Sequence, residues 1–142
     1  MILLDSNHFS ILLDERDRLH LPLHNRLNQV IDDVAIPIVV VEETMRGWLA
    51  LIRKTKRVRE QVEPYRRLAR LIDYLGKWNI VGWNNEAAAW FERLRKAKVR
   101  IGSRDLKIAS IALDNDTLLL SANISDFQQV PDLHLENWLH PL

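Results

Sequence analysis

Cysteine is absent from the 142 residues. That excludes a disulfide framework, a thiolate zinc site and a thiol nucleophile, and it leaves stability to the hydrophobic core. Glycine is scarce, at four residues, and none falls in a GxGxxG or P-loop arrangement, so no Gly-rich phosphate cradle is present. No apolar run approaches the roughly 18 to 20 residues of a membrane span. Met1 to Leu4 is apolar but is broken by Asp5 before a signal peptide's apolar region could form. The expectation is a soluble cytoplasmic protein. At 47% hydrophobic residues the chain suits one globular domain over residues 1–142, long enough to bury about two-thirds of its unfolded surface.

Lys and Arg are missing altogether after Lys107. The net charge of +1, from 20 basic and 19 acidic residues, therefore conceals segregation. Arg46 to Arg70 holds nine Lys/Arg against Glu60 and Glu63, and Glu92 to Lys107 holds seven against Glu92 and Asp105. The rest of the chain carries 4 basic and 15 acidic side chains. Two basic segments in an acidic body are suited to a polyanion, although either alone could be the solvated face of a helix.

Hydrophobic periodicity predicts an α/β fold. Ile2–Leu4 reads as a buried strand running into a helix that uses Phe9, Leu12 and Leu13. Leu23 to Val34 has helical spacing. Ala35 to Val41 is a continuous run rich in β-branched residues, the mark of a strand covered on both faces. Glu42 and Glu43 suit the first turn of the helix that follows, through Trp48 and Leu51. Val58, Val62, Tyr65, Ala69 and Ile72 form a helical stripe ending at Gly76, expected to face the core or a second copy, with Pro64 either kinking the helix or starting a second. Asn79–Trp83 and Thr117–Leu120 are further strand candidates, and Leu133–Leu135 is a last short apolar stretch. Helices are expected over Asn84–Ala97 and from a Ser103 cap onward, with a turn at Asp114–Asp116. Strands separated by helices imply a central, mainly parallel sheet covered on both faces.

In such sheets sites form beyond the carboxyl ends of the strands. Asp5, Glu42, Glu43, Asn123 and Asp126 are expected there, and Asp105 begins the helix before the strand at 117–120. Each acid alone could cap a helix or shape a turn. Together they would repel unless a cation neutralised them. An all-oxygen donor set favours Mg²⁺ or Mn²⁺, which can activate water and stabilise charge on a phosphodiester while the basic segments hold its neighbours.

The same residues carry a family resemblance. The blocks Leu3-Leu4-Asp5-Ser6-Asn7, Val40 to Gly47, Ile101 to Ala109 and Ser121 to Phe127 resemble the four successive motifs of PIN-domain ribonucleases, especially VapC-type toxins of toxin–antitoxin systems. Pro131 to Trp138 is similar to the family's ending. The resemblance implies a three-layer α/β/α sandwich and an Mg²⁺-dependent endoribonuclease with Asp5, Glu43, Asp105 and Asp126 as its acidic metal site. It implies that Ser6 supports the first carboxylate and Asn123 orients a water at the metal. It selects Glu43 over Glu42 because the family's acid precedes a glycine by four residues, here Gly47. Arg46, Arg53, Lys54, Arg104 and Lys107 are then candidate RNA contacts. Ala122 departs from the pattern, which often has Arg there. A homodimer silenced by a VapB-like antitoxin is the implied assembly.

Other signals are weaker. His20 and His24 have the i, i+4 spacing of zinc ligands, but Pro22 lies between them and no HExxH glutamate accompanies them. Asp114-Asn115-Asp116 begins like a calcium loop and then fails. A haloacid-dehalogenase-like phosphatase needs a second Asp where Asn7 stands, and a receiver needs an Asp after its middle strand. The five Trp are expected to be core or interface anchors, or else platforms for RNA bases. The remaining alternative is a non-catalytic RNA- or partner-binding module whose acids cap helices.

Overall fold

Leu3 and Leu4 have no exposed surface, and Ile2 has 3%, so the first strand lies at the centre of the molecule. The computed structural model describes residues 1–139. Residues 140–142, the last of the expected single domain, lie outside them. β1 (Ile2–Leu4), β2 (Val34–Pro37), β3 (Asn79–Val81), β4 (Leu118–Leu120) and β5 (His134–Glu136) form one sheet in the order β3-β2-β1-β4-β5. Every pairing is parallel, with Leu3 opposite both Ala35 and Leu119. Parallel neighbours need long crossovers, and seven helices among the described residues supply them: α1 (Ser6–Leu13), α2 (His20–Asn28), α3 (Ile38–Lys54), α4 (Val62–Leu75), α5 (Asn85–Lys96), α6 (Ser103–Asp114) and α7 (Ile124–Phe127). The expected α/β/α sandwich is present, with an all-parallel sheet.

Several boundaries differ from the sequence reading. The apolar run Ala35–Val41 is not one strand: β2 stops at Pro37, and Ile38–Val41 is the first turn of α3, with Val39, Val40 and Val41 buried. Pro37 is both the last residue of β2 and the N-cap of α3, with extended backbone, where no intrahelical bond needs its N–H. Glu42 and Glu43 consequently lie in the second turn of a helix, not at a strand end. α2 ends at Asn28, and Ile31 is fully exposed. Ser103 is the first helical residue of α6 and makes no capping bond; Gly102 holds the N-cap position. α6 runs on to Asp114, leaving a shorter turn than expected.

Pro64 starts a helix and does not kink one. A 3₁₀ turn at Val58–Gln61 precedes α4, and Pro64 falls in its first turn, where a proline displaces no helical bond. Of the two faces expected for the stripe, the core is excluded, because its large side chains are exposed: Val58 79%, Val62 53%, Tyr65 54% and Ile72 54%. Pro64, Leu71 and Leu75 bury the other side of α4.

Candidate active site

Chain order decides where the acids meet. From β1 the chain moves outward through β2 to β3, then returns to place β4 on the opposite side of β1. The crevice of a parallel sheet opens where the strand order reverses, here beyond the carboxyl ends of β1 and β4. Asp5 follows β1 directly and its N–H donates to Leu120 O at 2.9 Å, so the ladder itself fixes it.

Asp5 is 2% exposed, and both its carboxylate oxygens are engaged. Oδ1 accepts the Ser6 N–H at 2.7 Å as the N-cap of α1, and Oδ2 accepts the Ser121 hydroxyl at 2.7 Å. Ser121 Oγ in turn accepts the Asn123 N–H at 3.0 Å. The Asn123 amide Nδ2 donates to Asp105 Oδ2 and to Asp126 Oδ2, each at 3.0 Å. Arg104 donates to Asp105 Oδ1 at 3.3 Å and pairs with Glu43, which also accepts the Ser6 hydroxyl. The bonds close a ring through Asp5, Ser121, Asn123, Asp105, Arg104, Glu43 and Ser6, with Asp126 attached at Asn123. All four predicted acids and both supporting residues are brought together. Glu42 is not part of the ring; it pairs with Arg46 at 2.9 Å and lines the adjoining cleft.

Ser121 is the member that sequence reasoning passed over. A serine after a strand reads as a turn residue, and its role comes only from the pairing of β4 with β1. Arg104, expected to contact RNA, is turned inward onto Glu43 and Asp105. Arg46, Arg104 and Lys107 line a cleft of about 460 Å³ with Glu43 and Ser103. Arg53 and Lys54 do not join them. They end α3, about 15 Å along the helix axis from Glu43.

Charge is in conflict here. Burial, and after it the charge of Asp5, raises the Asp105 pKa above the ordinary carboxylate value, against the pull of Arg104 and Asn123. A divalent cation would relieve that repulsion, and the all-oxygen donors fit Mg²⁺ or Mn²⁺. Among the described residues no three acidic or His side chains are gathered into a ready-made metal cage. Arg104 supplies the positive charge between two of the acids.

The PIN domain model matches residues 2–133. The chain belongs to the PIN domain family. Its relatives include Ribonuclease VapC2 of Rickettsia felis, 29% identical over 74% of each chain, and Ribonuclease VapC2 of Haemophilus influenzae, 26% identical over 96% of this chain and 97% of the relative. Among solved structures, VapBC2 from Rickettsia felis bound to a promoter DNA fragment matches with a TM-score of 0.70 at 24% identity, covering 97% of this chain and 99% of that one. This PIN domain therefore has the fold its motifs implied.

His20 and His24 do lie on one helix, since Pro22 falls in the first turn of α2, and their rings stack at 5.8 Å. His20 Nδ1 is bound to Ile11 O at 2.9 Å and His24 Nδ1 lies 3.3 Å from Asn28 Nδ2. None of the five Trp is fully buried: Trp83 is exposed and Trp48, Trp78, Trp90 and Trp138 are half-buried.

Proposed function

We propose that this PIN domain is a metal-dependent endoribonuclease, the VapC-type toxin of a toxin–antitoxin pair acting in the cytoplasm. The observation that carries the reading is the ring of carboxylates at the β1/β4 crevice, joined by neutral donors and by one arginine. Asp5, Glu43, Asp105 and Asp126 would hold Mg²⁺ or Mn²⁺. When bound, the ion supplies Lewis-acid stabilisation of a phosphodiester and a water of lowered pKa. Ser6, Ser121 and Asn123 fix the carboxylates in place. Lys107 and Arg46, at the cleft mouth, are placed to hold phosphates on either side, with Arg53 and Lys54 available to a longer strand.

Relatives named ribonuclease VapC and a VapBC structural neighbour support this reading. A VapB-like antitoxin and a second copy of the chain are the proposed protein partners, and the exposed stripe on α4 offers them apolar surface.

The competing reading is a non-catalytic module whose acids cap helices, and one bond favours it: Asp5 does cap α1. Asp5→Asn separates the two, because Asn caps as well as Asp but brings no negative charge. The parent protein is expected to cleave structured RNA in Mg²⁺ or Mn²⁺, with cleavage abolished by chelation. Asp5→Asn should stay folded and cleave at least about 100-fold more slowly. Cleavage by Asp5→Asn at the parent rate would sink the acidic site.

A further inference from the structure

Trp83 follows β3 at the same end of the sheet as Asp5, two strand spacings away, or about 10 Å. It is 38% exposed, yet it is held. Phe91 meets its ring edge-to-face at 5.9 Å and 86°. The next residue, Asn84, caps α5 by accepting the Ala87 N–H at 2.8 Å, which fixes the backbone beside it. Lys107 places its ammonium 5.9 Å from the Trp83 ring centroid and also lines the cleft with Glu43 and Arg104. One side chain thus connects the aromatic surface to the acidic site. A fixed, partly exposed Trp beside a cation is suited to a ligand with a π-face and a negative charge.

We infer that Trp83 is the stacking platform for an unpaired base of the RNA strand, adjacent to the phosphate held at the acidic site, with Lys107 neutralising the intervening phosphate. The inference rests on the ribonuclease reading and deepens it: the substrate is single-stranded at that position. Stacking tolerates any base, so the platform sets position along the strand and not sequence. Trp83 touches no scissile atom and is a positioning residue.

The test uses fluorescence anisotropy of a labelled single-stranded RNA in EDTA, together with KM and kcat for its cleavage in Mg²⁺. Trp83→Ala should raise both Kd and KM by about 5- to 150-fold, with kcat nearly unchanged, and Trp83→Phe should recover most of the loss. A series of RNAs each lacking one base should contain one position at which parent and Trp83→Ala bind alike. A parent that cleaves RNA beside a folded Trp83→Ala with parental KM overturns the platform and leaves the nuclease intact. So does a Trp83→Ala whose mass by light scattering changes while its RNA affinity does not, since Trp83 would then anchor a protein interface. A parent that cleaves no RNA removes the ribonuclease reading, and the platform with it.

Discussion

Asp105 shows how the site is tuned one side chain at a time. An acid in the first turn of a helix is normally favoured in its charged form, yet burial and Asp5 push its proton affinity up. A carboxyl whose folded pKa is raised opposes folding once pH passes its unfolded value. Asp105→Asn should therefore raise Tm in metal-free neutral buffer by roughly 2–4 °C per kcal/mol of relief, measured by calorimetry. A lower Tm would show that the bonds from Arg104 and Asn123 outweigh the repulsion. His8 behaves oppositely, as a base kept neutral. It is fully buried, Nε2 accepts the Trp138 N–H at 3.1 Å, and the proton must then sit on Nδ1, which has no partner among the described residues. Burial lowers its pKa from 6.5 to about 4. Across that window the unfolded chain binds more protons, so stability is full above pH 6.5 and declines toward pH 4 by about 3 kcal/mol. His8→Gln, which can still accept the Trp138 N–H, should flatten that part of the stability profile in urea titrations. An unchanged slope would place the proton uptake elsewhere.

Helices and strands mark where periodicity informs and where it misleads. An apolar run reports burial without saying whether a helix or a strand is buried. Ile38–Val41 read as strand because its residues are β-branched, but they form a helical turn behind Pro37 in which Val39, Val40 and Val41 are buried. The stripe on α4 has the opposite fault. Its spacing is helical, as expected, but Val62, Tyr65 and Ile72 face outward while Leu71 and Leu75 meet the core. The apolar arc of α4 is wider than one core contact needs, and periodicity cannot tell which part the chain itself covers. Glu63 nearby is held below the usual carboxylate range chiefly by its bond from Arg67, so α4 is charged on a further face. Tyr65→Lys with Ile72→Lys should leave circular dichroism unchanged while lowering the mass of the self-associated or antitoxin-bound protein by light scattering. An unchanged mass in both states would make the stripe bare surface.

At the scale of the whole molecule, near-neutral charge is a sum of separated parts. The acids gathered at the crevice were legible because each stands in a short sequence block, with Asp5 at a strand end, Asp105 and Asp126 at helix starts, and Glu43 one turn into α3. The connections among them were not: Ser121 to Asp5 spans 116 residues, and only the return of β4 to the side of β1 makes them neighbours. The same holds for Arg104, whose inward turn depends on α3 and α6 meeting at Glu43.

The ring also has a consequence in time. Its members are spread from Asp5 to Asp126, and Asp5 reaches Asn123 only through a strand made after Asp5, Glu43 and Asp105. Loop closure over such distances occurs late in folding. A growing polypeptide that has emerged as far as α6 contains Asp5, Glu43 and Asp105 but lacks the Ser121–Asn123 link that ties them together. A ribosome making this protein therefore carries no assembled site until the fourth strand is available. On the proposed ribonuclease reading, a fragment ending before Ser121 is expected to cleave no RNA in the assay that detects cleavage by the parent protein.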